Sequence, residues 1–440
     1  MKSGGFALDD NLELPLLRGE RLAGRLLTRL VVTAGLLTVL VVLAGAALAW
    51  LGIWQPLVAS VVMLVMAAIS WRVSAVVPTR ALPVWTALAL LVISLGATTW
   101  AGLTHDEVLL PRGEAGMFWV SPLFAGLLVL VVGLLTSSVV GPRWGPLGAF
   151  ATLAYFPLLH AARATYADVI VLFIFCTGLL LLVAATRAGA RGRTQLAQAV
   201  GFLAGALVAS GSLFRPQAVG QTVLLLPVAA LLVIRRQGAG APLLWGAGVA
   251  TGLSALVGLG LSGSWLQEQG SSLISLGLLA VGLALLSLTM VVLARRGTRV
   301  PDGARAVLPP LAGALVVFGG LALMPLPSRQ ALVWTAWWTG PYALVVTLVI
   351  VAVGVHNLTR AWFRGEQLPA WFGALVVGLG AGLLHWRSLA VPLVVVCVAA
   401  ATAWVTRWST RHLPAVAAVM VSVGTAATLL VPAVAANCCR

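Results

Sequence analysis

The chain has 440 residues, of which 61% are hydrophobic and only 9% charged, with 27 basic residues against 11 acidic ones. Its mean hydropathy of +1.06 excludes a soluble globular domain. A net charge of +16 would suggest nucleic acid for a soluble protein. In so apolar a chain it reads as membrane topology instead, because cytoplasmic loops collect Arg and Lys.

Residues 1–27 are polar and of mixed sign, with Asp9, Asp10, Glu13 and Glu20 among Arg18, Arg21 and Arg25. They read as a cytoplasmic tail, and residues 28–440 as one polytopic membrane domain. The first apolar run, 30–52, exceeds the about 7–15 residues of a cleaved signal core and reads as an uncleaved anchor. Further apolar runs fall near 55–71, 83–103, 118–141, 144–160, 166–186, 196–214, 217–234 and 242–262. Beyond them come 273–294, 306–326, 334–355, 368–385, 388–405 and 413–435.

Each run is near the length that spans about 30 Å of hydrocarbon as a helix. Backbone groups in lipid must be paired internally, so the expected fold is an all-α transmembrane bundle of about 13–15 spans. Some of the shortest connections would make hairpins or re-entrant pieces. Alternating strands of a membrane barrel are absent from the pattern.

With the N-terminus in the cytoplasm, only Arg112, Arg163, Arg215, Arg329, Arg387 and Arg440 of the 27 basic residues fall outside. The asymmetry holds loop by loop and sets the expected orientation, with the protein in the cell membrane. Cys176 and Cys397 lie in apolar runs, Cys438 and Cys439 at the tail, and no Cys/His spacing makes a zinc site. Neither a phosphate-binding glycine loop nor an internal repeat is present.

Polar chemistry concentrates in the outer segments. One carries His105, Asp106, Glu107, Arg112 and Glu114; the next carries His160, Arg163, Tyr166 and Asp168. Shorter ones carry Phe214-Arg215-Pro216-Gln217 and His385-Trp386-Arg387. A carboxylate near a hydroxyl acceptor can serve as general base. Arginines beside it can hold phosphate oxygens with paired donors. Together they suit transfer from a lipid-phosphate-linked donor. Ordinary roles fit the same residues: Thr104-x-x-Glu107 and Thr165-x-x-Asp168 match a helix capping box. Arg163 and Arg215 suit lipid headgroups. Trp334, Trp337 and Trp338 suit an interfacial belt or a ligand platform.

On Trp100 to Gly116, Ala162 to Asp168, Phe214-Arg215-Pro216 and Trp334 to Tyr342, the chain resembles the GT-C superfamily of membrane glycosyltransferases. The resemblance is to an actinobacterial branch related to the protein O-mannosyltransferases and aminoarabinose transferases, and it runs over about 84–400. It implies a polyprenyl-phosphate sugar as donor, used on the extracytoplasmic face within membrane lipid and without nucleic acid. Glu114, Asp168 and Asp106 would be catalytic. Glu107, Arg112, Arg163, Tyr166, Arg215, His385 and Arg387 would bind substrate. A divalent cation occurs with such acids in the family, but no ligand motif assigns one here.

Two features depart from the family pattern. Only Met117 separates Gly116 from the next apolar run, where relatives have a long loop, and the late outer segment is compressed to His385-Trp386-Arg387-Ser388. They describe a shortened or degenerate relative. A non-enzymatic scaffold of a cell-envelope complex and a flippase or transporter of a lipid-linked anion remain open beside it.

Overall fold

The computed structural model describes residues 18–103, 120–153 and 166–261, with short interruptions inside these stretches, and a few positions between 281 and 292. Among the described residues the regular structure is helical and no strand occurs. In chain order the helices are α1 (Arg18–Trp50), α2 (Pro56–Ser74), α3 (Val84–Leu103), α4 (Val120–Val139) and α5 (Gly145–Leu153). They continue with α6 (Tyr166–Ala190), α7 (Thr194–Ser210), α8 (Leu225–Ile234) and α9 (Gly240–Leu261), and a 3-10 turn follows α7 at Gly211–Leu213. Seven helices among the described residues are long and apolar enough to cross a membrane. The chain is an all-α integral membrane protein, as its apolar runs require. The spans expected between 306 and 435 lie outside the described residues.

α1 differs from the expected run. α1 begins at Arg18, so the last part of the polar stretch 1–27 is helical. Its 33 residues extend about 50 Å, more than the about 30 Å of hydrocarbon. The first turns therefore stand in the interface, where arginines end a hydropathy run without ending a helix. Glu20 in the first turn complements the positive helix end. Within the runs 144–160 and 217–234 the described helices are Gly145–Leu153 and Leu225–Ile234.

The core lies on α4 and α6, whose spanning windows are 78% and 83% buried; α2, at 11%, is peripheral. Phe124 of α4 meets Phe173 of α6 edge to face, with centroids 5.4 Å apart. In lipid, covering a Leu with another helix gains little transfer energy, so close backbone approach must hold the bundle together. The sequence provides it with small residues. On α7, Gly201-x-x-x-Gly205 packs against Ala239 and Leu243 at the start of α9. In return, a Cβ on Gly246 of α9 would overlap the Phe202 carbonyl. Gly178 of α6 meets Ala204 and Val208 of α7 in the same manner. Interhelical hydrogen bonds add to this: Ser94 Oγ of α3 donates to Gly126 O of α4 at 2.7 Å, and Thr33 Oγ1 of α1 to Ser74 Oγ of α2 at 2.9 Å.

Contacts at the helix ends give the bundle two unlike faces. At one, Leu82 N–H donates to Glu20 O at 3.1 Å, which ties the segment before α3 to the start of α1. The Arg80 guanidinium donates to Ser137 O and Ser138 O at 3.4 and 3.2 Å, pairing carbonyls that the end of α4 leaves open. Arg29 donates to Trp71 O and lies 4.1 Å from the Trp71 ring centre. The turn between α6 and α7, with Arg191 and Arg193, packs near Gly238 through Thr194. At the other face, Trp50 at the end of α1 meets Gly260 near the end of α9. All the described arginines fall toward the first face, and none toward the second.

Candidate functional site

The arginine-poor face is where α6 starts and α7 ends. α6 begins at Tyr166, which puts Asp168 in its first turn. Thr165, the capping partner expected for it, lies outside the described residues.

α7 does not continue across this face. It tightens into the 3-10 turn at Gly211–Leu213, and Phe214 N–H donates to Gly211 O at 3.1 Å. Ser210 Oγ donates to Leu207 O at 2.7 Å and Ser212 Oγ to Ala209 O at 2.6 Å, so both hydroxyls are spent on the helix end. Pro216 follows, without an N–H and disfavouring helix at Arg215. Beyond it, among the described residues, Gln221 and Thr222 are helical and α8 begins at Leu225.

The 3-10 turn is packed against α6. A Cβ at Gly211 would lie 3.1 Å from Gln221 Oε1, 3.3 Å from Ala218 Cβ and 3.4 Å from Val171 Cγ1. Val171 is one helical turn beyond Asp168. Gln221 is 1% exposed, and neither its Nε2 nor its Oε1 has a hydrogen-bond partner. The buried Thr222 Oγ1 beside it is also unpaired. Each buried polar atom left so costs about 1–3 kcal/mol, and most such groups in folded proteins are satisfied.

Of the residues expected to form the site, Tyr166 and Asp168 have a described backbone, both in the first turn of α6. Asp106, Glu107, Arg112, Glu114, Arg163, Arg215, His385 and Arg387 lie outside the described residues, as do His105 and His160. Sequence reasoning passed over Gln221 and Thr222, which sit inside the apolar run 217–234. Their signal was two adjacent hydrogen-bonding side chains a short way after Pro216, in a segment otherwise fit for lipid. Among the described residues no group of three or more His, Cys, Asp or Glu is placed to hold a metal. Cys176 is buried in α6 as a free thiol.

No family model, curated protein or solved structure matches this chain. Its class as a membrane protein therefore stands on helix length and composition, and its activity must be argued from this face of the bundle.

Proposed function

We propose that the chain is a multi-pass glycosyltransferase of the cell membrane, using a polyprenyl-phosphate-linked sugar at its arginine-poor, extracytoplasmic face. One juxtaposition carries the reading. The 3-10 turn at the end of α7 packs against Val171 of α6, three residues beyond Asp168, and Arg215 follows that turn in sequence. In this reading the acid and the phosphate-binding cation serve a substrate with a polar head and a greasy tail at a lipid boundary.

In this reading Glu114 takes the proton from the acceptor hydroxyl as its oxygen attacks the anomeric carbon of the sugar. The bond from that carbon to the phosphate oxygen breaks, and the polyprenyl phosphate leaves with the electron pair. Arg112, Arg163 and Arg215 stabilise the leaving phosphate through charge-assisted hydrogen bonds. Asp168 and Asp106 assist at the acceptor. Glu107, Tyr166, His385 and Arg387 contact substrate.

The test is release of polyprenyl phosphate from decaprenyl-phosphate mannose by the full-length protein in nanodiscs, with cell-envelope extract as acceptor source. Replacing Glu114 or Asp168 by Ala is expected to slow release by about 100-fold or more, the scale of lost general-base catalysis. Release that continues undiminished in the double variant would remove the active-site assignment.

A further inference from the structure

We infer that Gln221 is a specificity-determining contact for a hydroxyl of the sugar on the lipid-linked donor. The inference rests on the transferase reading above and adds to it a residue and a chemistry. Gln221 is fully enclosed, yet both ends of its amide are unpaired. The amide offers two N–H donors and an acceptor oxygen. A phosphate would satisfy the N–H groups but set its negative oxygens against Oε1. A lipid chain would satisfy neither end. A hydroxyl satisfies both, because it donates to Oε1 and accepts from Nε2.

The surroundings favour a small group. Gly211, Ala218 and Val171 converge beside the amide, and a Cβ at Gly211 would lie 3.1 Å from Oε1. The placement also fits the donor: Gly211, beside the Gln221 amide, packs against Val171, which is one turn from Asp168 in α6. A buried water could pair with the amide in the same way, and it is the competing occupant.

The experiment measures binding of decaprenyl phosphate and decaprenyl-phosphate mannose to the full-length protein in nanodiscs, for wild type, Gln221→Leu and Gln221→Asn. Thermal midpoints are recorded without ligand. Wild type is expected to prefer the mannosyl lipid. Gln221→Leu is expected to lose about tenfold in affinity for it, the worth of a hydrogen bond or two. Its affinity for decaprenyl phosphate should stay unchanged and its thermal midpoint should not fall, since an unpaired buried amide has been removed. Gln221→Asn, with the same groups on a shorter arm, should keep part of the preference.

If Gln221→Leu keeps the full preference for the mannosyl lipid, the inference is overturned while the transferase reading stands. If it keeps the preference and also melts at lower temperature, a structural water is the occupant and the inference is likewise overturned. If wild type binds the two lipids equally, the inference falls. If wild type binds neither, the transferase reading falls with it.

Discussion

Gly205 of α7 lies directly against the backbone carbonyl of Leu243 in α9, so close that a Cβ at Gly205 would overlap it. The obstacle is main chain, which no rotamer change can move. Gly205→Leu should therefore force the two helices apart and cost at least the about 1–3 kcal/mol typical of overpacking. Gly248 of α9 has nothing within 4 Å of where its Cβ would be. Gly248→Leu is the matched control and should leave stability near wild type. Denaturation in mixed detergent micelles, followed by tryptophan fluorescence, compares the two.

The bond from Ser94 to Gly126 joins α3 to α4 in a buried setting. Ser94→Ala removes the donor and frees a carbonyl that has fewer alternatives in lipid than in water. The expected loss is about 0.6 kcal/mol, the average for such bonds between membrane helices. Ser60 makes a similar bond, to Pro56 O at 2.8 Å, within its own exposed helix. Ser60→Ala should cost less, and equal losses at the two positions would contradict an interhelical role for Ser94.

Orientation is testable without reference to activity. Gln55, before α2, and Arg193, before α7, are exposed on opposite faces of the bundle. In a background with Cys438 and Cys439 replaced by Ser, a membrane-impermeant thiol reagent added to intact cells should label Gln55→Cys. Arg193→Cys should react only after the cells are opened. The reverse pattern would place the arginine-rich face outside.

Much of this architecture was legible in the sequence because the thickness of hydrocarbon dictates the length of an apolar run. The runs 83–103 and 118–141 correspond closely to α3, Val84–Leu103, and α4, Val120–Val139. The start of α1 was not legible, since Arg18, Arg21 and Arg25 mark the edge of lipid while the helix runs on through the interface. The buried polar pair after α7 was harder still. An apolar run tolerates an occasional polar residue, so Gln221 and Thr222 carried no weight until their burial and missing partners were visible. Gly201-x-x-x-Gly205 was readable as a packing motif, but only the fold shows that its partner is α9. Of the candidate site, Asp168 was anticipated at a helix start and stands in one.

The central claim is that a lipid-linked donor is handled at the arginine-poor face, beside the start of α6 and the 3-10 turn after α7. Photo-crosslinking tests it most directly. A decaprenyl-phosphate mannose analogue with a diazirine next to the phosphate is irradiated with the full-length protein in nanodiscs, and the modified peptides are mapped. Adducts should concentrate on residues 166–175 and 211–222 and be displaced by unlabelled donor. Displaceable adducts confined to residues 18–34 and 187–201, at the arginine-rich face, would contradict the account.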